Sequence, residues 1–183
     1  MIQRFSFGHP FPTQSVVLSL PAESGPVPFL TPDDSGWQLT LSEQAAVYGL
    51  GEMPRGINKR GWHYVTNNTD EARHSEDKLS YYGAHNFLLI DGGAGRECFG
   101  VFIDFPGKVR YDIGYTEHDA LRFATEEPDH ELYIITGDDL NDISRQFRQL
   151  IGRSYIPPKW AFGLAQSRFG YKTAEDVREV ARQ

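Results

Sequence analysis

The chain has 183 residues with 25 acidic against 18 basic side chains, a net charge of −7, which argues against a nucleic acid or an anionic membrane surface as partner. Hydrophobic residues at 39% and aromatics at 13% exclude a disordered chain, and 183 residues are enough for one ordinary domain with a short appendage. A single cysteine, Cys98, excludes a disulfide framework within the chain and, in the apolar run "RECFGVFIDF", reads as a small core residue. No window approaches the ~18 consecutive apolar residues of a membrane span, and "MIQRFSFGHPFPTQS" lacks the apolar run of a signal peptide, so a soluble cytoplasmic protein is expected.

In chain order, the signals through about residue 137 are those of strands. "WQLTL" (Trp37–Leu41) alternates apolar and polar residues, the pattern of a half-buried strand. "HNFLLI" and "CFGVFIDF" are two strand-like runs joined by the glycine-rich "DGGAGRE", a hairpin connection. "KVRYDIG", "ALRFAT" and "ELYIIT" follow, separated by turn residues in "YTEHD" and "EEPDH". Short strands at this spacing predict an antiparallel β-sandwich.

The period then changes. In "GDDLNDISRQFRQLIG", Leu140, Ile143, Phe147, Leu150 and Ile151 fall on one helical face, behind Asp138 or Asp139 as cap and before Gly152 as stop. Pro157 and Pro158 prevent continuation and force an extended linker. "WAFGLAQ" (Trp160–Gln166) is almost all apolar or small, the composition of a strand covered on both faces. In "GYKTAEDVREVARQ", Thr173 with Asp176 forms a capping-box pattern ahead of an apolar stripe of Ala174, Val177, Val180 and Ala181. Strand, loop and helix make half of a βαβ unit, whose parallel partner strand has no sequence left to form it. The chain is therefore expected to be cut from something longer, and its orphan strand to invite association with another copy. The predicted division is a sandwich domain at 1–152, closed by the helix near 139–151, and a linker with the βα unit at 153–183.

Candidate ligand contacts concentrate in "TNNTDEARHSEDKLS" (Thr66–Ser80), a long polar stretch without strand or helix period. It carries Asp70, Glu71, Glu76 and Asp77 with His74 nearby, but neither the spacing nor the glycine of a calcium loop. Asn67-Asn68-Thr69 matches a glycosylation sequon, which matters only in a secreted context. None of the six histidines has metal-ligand spacing, and His63 and His85 read as structural residues of strands. No metal and no cofactor is expected. "GLGEMPRG" (Gly49–Gly56) lacks the third glycine of a dinucleotide loop, and no G-x-S-x-G elbow is present.

"VYGLGE" (Val47–Glu52), "YYGAHNF" (Tyr81–Phe87), "FGVFID" (Phe99–Asp104) and "IGRSYIPPKWAFGLAQSRFGY" (Ile151–Tyr171) together resemble glycoside hydrolase family 31, in its order and at about its spacing. The resemblance covers roughly residues 47–183 and implies a mainly β fold. An antiparallel sandwich of galactose-mutarotase-like type would be followed by the first strand and helix of a (β/α)8 barrel. It implies retaining, exo-acting hydrolysis of an α-glycosidic bond by two aspartates about 5–5.5 Å apart on later barrel strands. No W-x-D-M-N-E-like motif is present, so no catalytic residue is assigned within the chain.

The resemblance implies two substrate-binding residues. Asp70 is the best match for a sandwich-loop aspartate that reaches the substrate, with Glu71 its competitor. Phe169, in "QSRFGY", replaces a tryptophan common in relatives, which leaves the preference for a glucoside or a xyloside open. The expected partner is an α-glucoside or oligosaccharide. An α-xylosidase is the nearest alternative, and a non-catalytic carbohydrate-binding sandwich and a mutarotase-like epimerase are the alternatives from other classes.

Overall fold

Ten strands run along residues 2–136 in the computed structural model, which describes residues 1–70, 73–167 and 169–182. The strands are β1 (Ile2–Phe7), β2 (Thr31–Pro32), β3 (Trp37–Thr40), β4 (Ala46–Gly51), β5 (Trp62–Thr66), β6 (Ala84–Asp91), β7 (Cys98–Asp104), β8 (Val109–Ile113), β9 (Ala120–Thr125) and β10 (His130–Thr136). They are followed by helix α1 (Leu140–Ile151). Two five-stranded sheets result, in the orders β1-β10-β7-β6-β4 and β2-β3-β9-β8-β5. Every strand pairing is antiparallel. The expected sandwich is what forms.

Successive strand residues point to opposite faces, so each strand contributes alternate positions to the space between the sheets. Leu88, Ile90, Val101, Ile103, Leu132 and Ile134 of the first sheet meet Leu39, Val109, Tyr111, Ile113, Leu121 and Phe123 of the second. The register sets these side by side, with Leu132 opposite Ile103 and Ile134 opposite Val101. The intervening residues are apolar as well. Phe102, Tyr133 and Ile135 form a second cluster with Ile143, Phe147 and Leu150 of α1, with Phe87, Leu89 and the half-buried Cys98 packed against it. The first sheet is thus covered on both faces, which is why "CFGVFID" reads as continuously apolar.

Asp139, of the two candidate caps, begins α1: its carboxylate accepts a hydrogen bond from the Asp142 amide at 2.7 Å. Gly152 ends the helix with φ +89°. The Phe87 and Phe147 rings lie parallel at 3.8 Å. A Cβ on Gly100 would sit 2.9 Å from both Ile143 Cγ2 and Phe87 Cε2, so this glycine sets how closely the helix approaches. The glycines of "YGLGE" have a different job. Gly49 and Gly51 bracket a bulge against β6 that turns Leu50 (φ +64°) fully into the core, and a Cβ on Gly49 would meet the Phe87 carbonyl at 2.2 Å.

The chain divides into two units, Met1–Arg153 and Ser154–Gln183. In the second unit the strand expected at Trp160–Gln166 is absent. Lys159–Phe162 instead form a 3-10 helix, with Ala161 N–H bonded to the Pro158 carbonyl at 2.9 Å and Gly163 N–H to the Trp160 carbonyl at 3.0 Å. A parallel strand satisfies its backbone only through a neighbour, and no described strand pairs with this segment, so local bonds take over. Helix α2 (Ala174–Arg182) forms as expected. Its capping box is reciprocal, Asp176 N–H to Thr173 Oγ1 at 3.2 Å and Thr173 N–H to Asp176 Oδ2 at 2.7 Å.

Two stability measurements follow from this packing. Gly100→Ala forces α1 away from the sheet, and overpacking of this kind costs about 1–3 kcal/mol; denaturant unfolding should show that loss with an unchanged slope. The second concerns His130, buried with Nε2 accepting from Trp37 Nε1 at 3.1 Å and Nδ1 2.8 Å from the Pro128 carbonyl. Burial pushes this imidazole below the ordinary value of 6.5, outweighing the Pro128 contact. The unfolded chain therefore takes up the proton first as pH falls through 6.5, so this stabilisation is complete above that pH and is lost below it. The melting temperature should drop between pH 7.5 and 5.5, and less steeply in His130→Gln.

Candidate functional site

The long connection between β5 and β6 passes from the second sheet to the first, and its two arms are tied by side chains. The last ladder pair of β5 is Thr66 with Val109. Beyond it, Asn67 N–H donates to Ser80 Oγ at 3.2 Å, and the same hydroxyl donates to the Asn67 carbonyl at 3.0 Å. Asn68 Oδ1 accepts from the Ala84 amide at 2.6 Å. Below these bonds, Thr66 Oγ1 and Tyr111 OH both donate to Asn86 Oδ1, and Asn86 Nδ2 donates to the Phe105 carbonyl at 3.3 Å. Burial pushes the Tyr111 phenol far up, so it remains a donor throughout the working pH range.

The far arm is organised around His74. Its ring stacks on Tyr81 at 4.5 Å and meets Tyr82 edge-on at 5.2 Å, while Tyr81 OH donates to the Ser75 carbonyl at 2.9 Å. Ser75 Oγ donates to Asp77 and is the main cause of that carboxyl's lowered pKa. Beside this arm lies a cationic patch that the sequence did not reveal. Lys59 is only 5% exposed, its ammonium donating to the Gly56 carbonyl at 3.0 Å and the Pro54 carbonyl at 3.4 Å. Burial lowers its pKa and the negative charge of Glu76 offsets part of that. The Arg55 guanidinium stacks 4.3 Å over Trp62 and donates to the His63 carbonyl at 2.9 Å.

At the foot of the loop is an open cleft of about 680 Å³, walled by Asn67, Asn68, His85, Asn86, Phe105 and Lys108 among others. His85 is exposed at the rim of this cleft, and partial desolvation there lowers its imidazole pKa. Asp104 and Glu126 add carboxyl groups to this lining beside the amides and the Phe105 ring. Among the described residues no three His, Cys, Asp or Glu side chains gather as metal ligands.

Asp70 is exposed on this loop, two residues past the Asn68 bond. Glu71, its competitor, lies outside the described residues. Phe169 belongs to the second unit and is fully exposed. Of the two histidines read as structural, His63 places Nδ1 3.8 Å from Asp112 Oδ2 and its ring 4.2 Å from Tyr115, whereas His85 lines the cleft. Sequence reasoning missed Asn68 and Ser80 as the residues that close the loop. "NNT" offered only a sequon, and nothing local distinguishes an asparagine whose partner lies sixteen residues ahead.

Residues 22–112, which include the loop and β2 to β8 up to Asp112, match the glycosyl hydrolase 31 N-terminal galactose mutarotase-like domain. The chain is 33% identical over 144 residues to alpha-glucosidase 2 of Bacillus thermoamyloliquefaciens, covering 78% of this chain and 18% of that protein. It is 32% identical over 127 residues to the alpha-xylosidase XylQ of Lactiplantibacillus pentosus, covering 69% and 16%. Among solved structures, the GH31 dextranase of Flavobacterium johnsoniae complexed with isomaltotriose superposes with a TM-score of 0.70 at 26% identity, covering 85% of this chain and 19% of that one. The chain thus spans less than a fifth of the length of these relatives. By its double antiparallel sheet and these matches, the chain belongs to glycoside hydrolase family 31, as the N-terminal portion of that family.

Proposed function

We propose that this chain works within a longer retaining, exo-acting α-glycoside hydrolase, an α-glucosidase that releases glucose from non-reducing ends. The observation that carries the reading is Asp70, an exposed carboxylate on a loop tied at its base to a rigid sandwich, inside the matched family domain. A carboxylate accepts hydrogen bonds from sugar hydroxyls strongly, because the ionised acceptor shortens and strengthens them. Phe169 supplies an aromatic face for the apolar side of a sugar ring. The paired aspartates that perform displacement and proton transfer lie outside these residues, leaving the sandwich to supply scaffold and substrate contact. The similarity to alpha-glucosidase 2 supports the glucoside reading. The 32% identity to an alpha-xylosidase favours a second reading, hydrolysis of α-xylosides by the same chemistry.

The test is hydrolysis of p-nitrophenyl α-glucoside and α-xyloside by the full reading frame and by the 183-residue chain. The full enzyme should turn over the glucoside faster, and the chain alone should turn over neither. Loss of a hydrogen bond to a charged group costs about 1.5–3 kcal/mol, so Asp70→Asn should lower kcat/KM roughly 10- to 100-fold. Turnover by the isolated chain would place the catalytic groups inside it and sink the reading.

A further inference from the structure

We propose that Asn68 is the positioning residue for Asp70, holding the loop at the height from which its carboxylate meets the substrate. The inference deepens the proposed function and rests on Asp70 contacting sugar. β5 stops pairing at Thr66, and the next backbone groups are taken over by side chains. Ser80 Oγ bridges to both the amide and the carbonyl of Asn67, and Asn68 Oδ1 takes the Ala84 amide at the first residue of β6. The opposite side of the same turn is anchored just past β4, since Glu52 N–H bonds the Gly83 carbonyl at 2.9 Å. Asn68 therefore fastens the outgoing arm of the loop to a segment that belongs to the first sheet.

Only Thr69 separates Asn68 from Asp70. Two residues span at most about 7 Å of chain, so a displacement of Asn68 reaches the Asp70 carboxylate with little room to be absorbed. The Ser80 bridge acts one residue earlier and holds the arms together. It does not bond Asn68, and so it does not determine the direction in which the chain leaves toward Asp70. That direction depends on the amide oxygen of Asn68. An aspartate at the same position still presents a side-chain oxygen that accepts the Ala84 N–H, whereas alanine leaves that amide without its acceptor.

The experiment compares Asn68→Ala, Asn68→Asp, Asp70→Asn and the Asn68→Ala/Asp70→Asn pair in the full reading frame, with p-nitrophenyl α-glucoside as substrate. Hydrogen exchange at the Ala84 amide is followed in the 183-residue chain. Losing one neutral hydrogen bond in a positioning role should lower kcat/KM roughly five- to tenfold in Asn68→Ala. The change should divide between kcat and KM in the proportion seen for Asp70→Asn. Asn68→Asp should restore wild-type values to within about twofold, and the double variant should be no worse than Asp70→Asn, since coupled residues are not additive. The Ala84 amide should be protected in the wild type and Asn68→Asp and exchange fast in Asn68→Ala. If Asn68→Ala lowers the melting temperature but leaves kcat/KM unchanged while Asp70→Asn lowers it, the positioning role is overturned and the Asp70 contact stands. If Asp70→Asn itself leaves kcat/KM unchanged, the underlying substrate contact fails, and the role of Asn68 fails with it.

Discussion

Burial of one sheet on both faces is the constraint from which the rest of this domain follows. β7 is apolar at nearly every position and β10 is apolar from Leu132 to Ile135, so neither of their faces can be left in water. The second sheet covers one face through Leu39, Val109, Ile113 and Leu121, and α1 covers the other through Ile143, Phe147 and Leu150. The helix comes close enough to do this because position 100 has no side chain, which brings Ile143 against Phe87 and the backbone of β7. A three-layer body of this kind has little freedom to slide, since a one-residue slip in register would turn each strand's inner set outward.

That rigidity matters for the loop above it. Thr66, Asn86 and Tyr111 join the two sheets through one amide oxygen at the place where the loop departs. The loop inherits the position of the body through a few polar contacts instead of through a continued ladder. Its far arm is steadied differently, by stacked rings and by the charges of Arg55 and Lys59 facing acidic residues. The division suits the role proposed for Asp70, which needs a fixed origin and an open approach. Binding groups are commonly found on loops that a rigid scaffold positions.

Polar groups in this region are satisfied mainly by the protein itself. Asn86 spends its oxygen and a donor on Thr66, Tyr111 and Phe105, and Asn68 spends its oxygen on Ala84. The cleft beneath the loop is therefore built as support. Lys59 fits the same pattern: a buried ammonium whose bonds to Pro54 and Gly56 shape the turn after the β4 bulge.

Local pattern alone determined β3, the strands β6 to β10, the helix with its aspartate cap and glycine stop, and the capping box of the last helix, but not β4 or β5. Each of these depends on residues within a few positions of one another, through side-chain period or a bond three residues along. The loop could be located for the same reason, as a polar stretch that no period explains, and Asp70 came from the motif that follows it. Tertiary structure alone decided the order of the strands, the burial of Lys59 and the bond from Ala84 to Asn68, because each depends on partners brought together by the sheets. It also decided against a strand at Trp160–Gln166. An apolar composition makes a segment suitable for a covered strand, but a strand exists only through a neighbour's hydrogen bonds, and in its absence the backbone closes on itself in a 3-10 turn.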